Sequence, residues 1–128
     1  MAFAFDSRAC ELALDVYTKG WCTGASARYN CLQRLTFGLC FQHSEDVSMQ
    51  EIGIRYAAEA FADLPVELAA TLGGLMKYFE DHARVVRQFG RFPHRNAILG
   101  RESTAAEVEW LASPDLPLWA KVAPTTMK

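Results

Sequence analysis

Apolar residues recur along the chain at intervals of three and four positions, which is the spacing of one face of an α-helix. No window of six or more residues alternates apolar and polar side chains with the β-branched residues typical of a strand. The pattern therefore predicts an all-α fold of about five helices arranged in antiparallel hairpins.

The first two predicted helices are separated by a glycine-containing loop. The first begins at Asp6 or Ser7 as the N-cap and runs to about Lys19, because Gly20 is a residue that commonly ends helices. The second covers about 27–41, with cysteines and leucines at three- and four-residue steps.

The third and fourth predicted helices meet at a proline. The third begins either at Ser44 or at a capping box of Ser48 and Glu51, and it continues to about 62. The fourth is the longest, from Pro65 at the first helical position to 89, and it ends at a left-handed Gly90 cap. A Gly73-Gly74 pair is expected to loosen or bend it.

The fifth predicted helix begins at a capping box formed by Thr104 and Glu107, and Ser113-Pro114 ends it. The tail over 113–128 is predicted to be largely irregular, with Leu118 and Trp119 docked onto the body. The length suits one domain over 1–128, because 128 residues of which 51% are apolar can build one core.

Composition narrows the expected partners and location. The net charge of −2 gives the whole molecule no electrostatic reason to bind nucleic acid or a membrane. The longest stretch without Asp, Glu, Lys or Arg has ten residues, 35–44, so no transmembrane helix is expected. The start lacks a secretion signal and the four cysteines show no Cys-x-x-Cys pair. A cytoplasmic protein with reduced thiols is the prediction.

One basic segment departs from this even composition. Five of the nine arginines lie in an 18-residue window without acidic residues. They are Arg84, Arg87, Arg91, Arg95 and Arg101. Clustered guanidinium groups are suited to bind phosphate or carboxylate. The alternative interpretation is that they stabilise the fold by pairing with Glu45, Asp46 or helix-end carbonyls, and the sequence leaves both open.

Aromatic residues interrupt the basic segment. Phe89, Phe92 and Pro93 are expected to be buried, which gives Arg91, His94 and Arg95 defined directions and makes the loop rigid. Nucleic-acid binding is not favoured, because one short basic segment in an acidic domain releases few counterions.

Three histidines are the remaining candidates for chemistry. His43, His82 and His94 show no His-x-x-x-His spacing, so no metal site is predicted. His82 lies on an apolar helix face and is interpreted as a buried, hydrogen-bonded residue beneath the loop. An acid/base enzyme would use His43, Glu45 and His94 with Ser44 or Ser103 as nucleophile, although helix capping is a sufficient explanation for Ser44 and Thr104.

Several motifs together resemble a known family. They are His43-Ser44-Glu45-Asp46 with Gln50, His82, Phe89-Gly90-Arg91-Phe92-Pro93-His94-Arg95-Asn96, and Leu99-Gly100-Arg101-Glu102-Ser103-Thr104. From about 4 to 111 the chain closely resembles the mainly bacterial family called domain of unknown function 924. The resemblance implies an all-helical, tetratricopeptide-repeat-like stack. The family has no established activity, so the resemblance does not assign one to this chain.

Two departures from the family pattern affect the site. Members usually begin with a further N-terminal portion rich in Trp and Phe, which this sequence lacks, so a groove built with that portion would be incomplete here or completed by a second subunit. A Leu-Pro turn usually precedes the His-Ser-Glu element, where this chain has Leu39-Cys40-Phe41-Gln42. The entry to the third helix is therefore expected to differ.

The preferred functional hypothesis is a helical binding module without a cofactor. Its ligand is an acidic peptide or a phosphate-bearing small molecule, and no catalytic residue is assigned. The predicted binding residues are Arg91, His94, Arg95, Asn96 and Arg101 of the loop, with His43, Glu45 and His82 behind them. Two alternatives stay open: a metal-dependent or acid/base hydrolase that uses His43, His82 and His94, and a purely structural motif with a homo-oligomer or protein–protein interface elsewhere.

Overall fold

The computed structural model describes residues 6–20 and 28–121. The α-helices of these residues are α1 Asp6–Thr18, α2 Cys31–Gln42, α3 Val47–Ala62, α4 Val66–Leu72, α5 Leu75–Phe89 and α6 Ala105–Leu111. Two short 3-10 helices follow α5 and α6, at Pro93–Arg95 and Leu118–Ala120. No strand occurs in the described residues, which confirms the all-α prediction.

The chain divides into two compact units, Met1–Gly90 and Arg91–Lys128. The first unit contains α1 to α5, and its core is formed by the buried residues Cys10, Ala13, Phe41, Tyr56 and Ala60. A single domain and a tetratricopeptide-repeat-like stack both stay predictions. No helix in the described part of the chain is long and apolar enough to cross a membrane.

Close approach of α2 and α3 depends on glycine. A Cβ built on Gly53 would lie 2.7 Å from the Cβ of Phe41, closer than two carbon atoms can pack. Phe41 is fully buried and its ring lies 5.8 Å from that of Tyr56. The Tyr56 hydroxyl donates to the Arg34 carbonyl of α2. The two helices are therefore joined by both ring packing and a buried hydrogen bond.

The starts of α2 and α3 correct the sequence predictions. Residues 28–30 precede α2, and Asn30 forms a capping box with Gln33 at 2.9 and 3.0 Å, so the start expected near 27 is wrong. Asp46 is the N-cap of α3, because its carboxylate accepts from the Ser48 backbone N–H at 2.7 Å. Neither Ser44 nor Ser48 begins that helix. The carboxylate between them competes more strongly for the helix N-terminal donors.

The predicted long fourth helix is divided at Gly73-Gly74. The last hydrogen bond of α4 runs from the Gly73 N–H to the Ala69 carbonyl at 2.9 Å. At the start of α5, the Lys77 N–H donates to the Gly74 carbonyl at 3.2 Å. Two adjacent glycines carry the backbone entropy cost that makes a helix break there. Gly90 ends α5 with a φ of 71° and donates to the Val86 carbonyl at 2.8 Å, as predicted.

The second unit is built around α6. Thr104 and Glu107 form the predicted capping box. Trp119 packs in this unit, with its ring 5.9 Å from that of Phe92, whereas Leu118 is 80% exposed, so the predicted docking is wrong for Leu118. Residues 122–128, the rest of the tail predicted to be irregular, lie outside the described residues.

Candidate anion-binding site

The loop that opens the second unit is closed by its own backbone. Pro93–Arg95 forms a 3-10 turn in which the Asn96 N–H donates to the Pro93 carbonyl at 3.0 Å. The Arg101 N–H donates back to the Asn96 carbonyl at 2.8 Å. Gly100 permits this return because its φ of 64° is one that L-residues with a Cβ rarely adopt. These bonds connect Pro93, Asn96 and Arg101 through the backbone of the loop.

Arg91 and Glu107 form the central ion pair of the second unit. The guanidinium donates through Nε to Glu107 Oε1 at 2.6 Å and through Nη2 to Oε2 at 2.8 Å. The Glu107 side chain is 2% exposed and that of Arg91 is 28% exposed. A two-pronged pair of this kind fixes both side chains, since each oxygen receives its own donor.

The environment of Glu107 keeps it ionised. Hydrogen bonding from the Arg91 guanidinium lowers the pKa of Glu107 from 4.5 to about 2, against the opposing effect of burial. The Thr104 backbone N–H donates to Oε2 at 2.7 Å and also lowers the pKa. The buried carboxylate is consequently an anion at every physiological pH.

Asn96 connects the ion pair to Arg101. Its Nδ2 donates to Ser103 Oγ at 3.0 Å and to Glu107 Oε2 at 3.4 Å. Its Oδ1 accepts from Arg101 Nε at 3.0 Å. Because Asn96 is only 2% exposed, this amide is a buried bridge between Arg101 and the carboxylate of Glu107.

Phe92 contacts the remaining predicted arginines. Its carbonyl accepts from Arg101 Nη2 at 3.3 Å, and the Cζ atom of the buried Arg95 lies 4.7 Å from its ring centroid. A guanidinium at that distance from a ring is stabilised by a cation–π interaction. Arg101 itself is half-buried.

An aromatic cluster surrounds the same phenylalanine. The His94 ring lies 5.6 Å from that of Phe92 and 5.5 Å from that of Trp119, and the Trp110 ring lies 6.4 Å from that of Trp119. His94, Trp110 and Trp119 are half-buried, whereas Phe92 is 1% exposed. Phe92 is thus buried, as predicted, and its ring packs against those of His94 and Trp119, while the rigidity of the loop stays a prediction.

The other predicted site residues belong to the first unit. His43 is exposed and Glu45 half-buried in the turn between α2 and α3, and Gln50 fixes that turn by donating to two of its carbonyls. His82 is 5% exposed, with Nδ1 2.7 Å from the Tyr78 carbonyl and 3.1 Å from Gln42 Nε2. It is thus buried and hydrogen-bonded, as predicted, and its ring lies 6.0 Å from that of His43.

Two more arginines of the basic segment pair with carboxylates of the first unit. Arg84 forms an ion pair with Asp81, and Arg87 Nη2 lies 2.6 Å from Glu51 Oε1. These carboxylates are not the Glu45 and Asp46 considered from the sequence.

Within the described ranges, 6–20 and 28–121, no group of three or more His, Cys, Asp or Glu residues is arranged to hold a metal ion.

The family assignment agrees with the motifs of this loop. The family model described as "Bacterial protein of unknown function (DUF924)" matches residues 1–115, which include every predicted site residue. The chain belongs to the DUF924 family. No curated protein and no solved structure gives a significant match.

One residue of the DUF924 loop network was missed by sequence reasoning. Glu107 was recognised only as part of the capping box, where it also serves. Its pairing with Arg91, 16 residues earlier, has no periodic signal, because the two residues belong to different elements. The sequence places Glu107 after the arginine cluster but does not show that it is buried, and burial is what would identify it as the partner of Arg91.

Proposed function

We propose that this DUF924 protein is a binding module for a small anionic ligand that bears a phosphate or carboxylate group. The proposed binding residues of the second unit are Arg101 as the principal contact, together with His94 and Arg95 of the same loop. Arg91 and Asn96 hold the loop in shape. His43, Glu45 and His82 belong to the first unit, and their role in binding stays a prediction from the sequence.

The orientation of Arg101 is the observation that carries this proposal. Its Nε and Nη2 donate to Asn96 Oδ1 and the Phe92 carbonyl, so two hydrogen bonds orient a half-buried guanidinium. These two bonds hold the guanidinium in one orientation, and its planar fork matches the geometry of a phosphate or a carboxylate. An oxyanion that binds a prepositioned guanidinium loses less free energy to side-chain ordering than one that must order a mobile arginine.

The surrounding network supports the same role. Asn96 Oδ1 accepts a hydrogen bond from Arg101, and Asn96 Nδ2 donates one to Glu107. The orientation of Arg101 therefore depends on the buried ion pair that Glu107 forms with Arg91. Side chains that are fixed by a second layer of contacts give more precise binding sites than mobile ones.

Phosphate titration tests the proposal. We expect inorganic phosphate at millimolar concentration to raise the midpoint of thermal unfolding, because a ligand that binds only the folded state stabilises it. Arg101→Gln should weaken the phosphate affinity about tenfold, as expected for loss of a charge-assisted hydrogen bond of about 1.4 kcal/mol. Arg101→Lys should retain part of it, because the charge remains and the planar fork does not.

The matched control is Arg55→Gln, which removes the same charge from an exposed position on α3. Equal weakening in both variants would show that phosphate responds to net charge and not to this site. An acidic peptide that binds while phosphate does not would replace the small-ligand proposal with the peptide alternative. Location in the cytoplasm, the hydrolase hypothesis and the oligomer-interface hypothesis stay predictions.

A further inference from the structure

We infer that Cys10 and Cys40 are a redox-sensitive pair, which hydrogen peroxide joins into a disulfide that ties α1 to α2. Both cysteines belong to the first unit, so the inference is independent of the proposed binding of an anion by Arg101. It depends on a direct contact between the Cys10 thiol and the main chain of Cys40.

The Cys10 thiol is directed at Cys40 across the interface of α1 and α2. Its Sγ–H donates to the main-chain carbonyl of Cys40 at 2.7 Å. A carbonyl oxygen lies about 2.4 Å from the Cα of its own residue, so the Cys10 sulfur is within about 5 Å of the Cys40 Cα. In a disulfide each sulfur lies about 3–4.5 Å from the Cα of the partner cysteine. A rotation of the Cys40 side chain and a small shift of α1 therefore suffice to form the bond.

Tertiary packing holds the two cysteines together. They lie 30 positions apart in the chain, yet α1 and α2 pack directly against each other. Cys40 packs against the buried cluster that contains Cys10 and Ala13. Two reacting groups that are held at one place have a high effective concentration. The fold thus favours a bond between these two sulfurs over a bond with a thiol from another molecule.

Unequal exposure gives the two thiols different roles. Cys40 is half-buried, whereas Cys10 is 4% exposed. The Cys40 thiolate therefore reacts first and attacks one oxygen of hydrogen peroxide, which gives a sulfenic acid and, after protonation of the leaving hydroxide, one water. The Cys10 thiolate then attacks the sulfenic sulfur and the S–S bond forms. The hydroxyl group leaves as a second water with the Cys10 proton. Two thiols lose two electrons in total, and one peroxide is reduced to two waters.

The disulfide should stabilise the first unit. It replaces one thiol–carbonyl hydrogen bond by a covalent link between α1 and α2. A link that closes a chain segment of this length restricts the unfolded state, so the midpoint of thermal unfolding should rise by at least about 5 °C. Oxidising conditions would then make the protein more resistant to unfolding.

Peroxide treatment of the full chain, followed by peptide mass spectrometry, tests the inference. We expect a linked pair of peptides that contains Cys10 and Cys40 and is separated by dithiothreitol. In the reduced protein, iodoacetamide should alkylate Cys40 at least about tenfold faster than Cys10, because the buried thiol is shielded from the reagent. Alkylation of Cys10 at an equal rate would overturn the order of the two steps.

Substitutions separate this pair from Cys22 and Cys31, the other two cysteines of the chain. The double variant Cys22→Ser/Cys31→Ser is the matched control and should keep both the link and the rise in midpoint. Cys40→Ser should abolish both. A predominant link through Cys22 or Cys31, or oxidation of Cys40 without a link to Cys10, would overturn the inference. A linked protein that is no more stable than the reduced one would show that the bond distorts the packing of α1 on α2, contrary to the inference.

Discussion

Arg91 donates two hydrogen bonds to the Glu107 carboxylate, from Nε to Oε1 at 2.6 Å and from Nη2 to Oε2 at 2.8 Å. The same Nη2 also donates to the Glu102 carbonyl at 2.9 Å. The loop and α6 are thus tied together by one guanidinium. This pair holds the loop of the second unit against α6, and its loss can be tested by substitution.

Neutralising the buried carboxylate should destabilise the second unit. In Glu107→Gln the Arg91 guanidinium faces an amide, which has one oxygen acceptor where the carboxylate has two. We therefore expect the free energy of unfolding to fall by about 3 kcal/mol. Urea unfolding followed by tryptophan fluorescence measures it. Glu109→Gln, an exposed position of the same helix, is the control and should change stability by less than about 0.5 kcal/mol. Similar losses in both variants would contradict a structural role for the pair.

The same carboxylate should make stability depend on pH in a defined window. The pKa of Glu107 is lowered to about 2 in the folded protein, from an ordinary value of 4.5. Its contribution is therefore fully present above pH 4.5 and is lost as the pH falls towards 2, because the unfolded chain binds the proton first. Unfolding free energies of wild type and Glu107→Gln, compared from pH 6 to 2, should converge at the acidic end. Parallel curves would contradict the lowered pKa.

Adding one methyl group to Gly53 should force α2 and α3 apart. The new Cβ would lie 2.7 Å from the Cβ of Phe41, and neither atom can move without its helix. We expect Gly53→Ala to lower the free energy of unfolding by about 1–3 kcal/mol, as overpacking does in other cores. Circular dichroism during thermal unfolding measures the change.

Gly74→Ala is the matched control for this substitution. Gly74 has a φ of −62° and no heavy atom within 4 Å of a built Cβ. Alanine there should be neutral or should stabilise by up to about 1 kcal/mol, because it restricts the unfolded chain. A Gly53→Ala protein as stable as Gly74→Ala would show that the helices have room to separate.

Removing the Gln50 amide should loosen the turn that carries His43 and Glu45. The Nε2 atom donates to the carbonyls of Gln42 and Ser44 at 2.8 and 2.7 Å, and the side chain is buried. Gln50→Leu should lower the free energy of unfolding by about 2 kcal/mol, because two carbonyls lose the amide donor of a buried side chain. Amide hydrogen exchange over 42–46 should accelerate. Gln88→Leu, an exposed residue of α5, should leave that exchange unchanged.

Local chemistry made several parts of this protein predictable from sequence. Period-3.6 patterning gave an all-α fold, and the Thr104 and Glu107 capping box and the Gly90 cap mark helix ends that the structure confirms. Each of these signals joins residues at most four positions apart, so the chain satisfies them without reference to the rest of the fold.

Competition between local signals was harder to predict. Ser44, Asp46 and Ser48 all have capping side chains, and the sequence pattern did not show that the central carboxylate would take the donor of Ser48. Helical periodicity likewise continues across Gly73-Gly74, although the helix ends there. Small free-energy differences decide both cases, and packing around the segment changes them.

The sequence by itself determined the helical class, most helix ends and the loop with its arginines and aromatic residues. Tertiary structure alone decided which carboxylate each arginine meets: Glu51 for Arg87 and Glu107 for Arg91. Those partners lie 36 and 16 residues apart, so they meet only after the helices have packed. Charge attraction acts over a long range and does not by itself specify a partner, whereas burial selects one carboxylate and fixes the geometry of the pair.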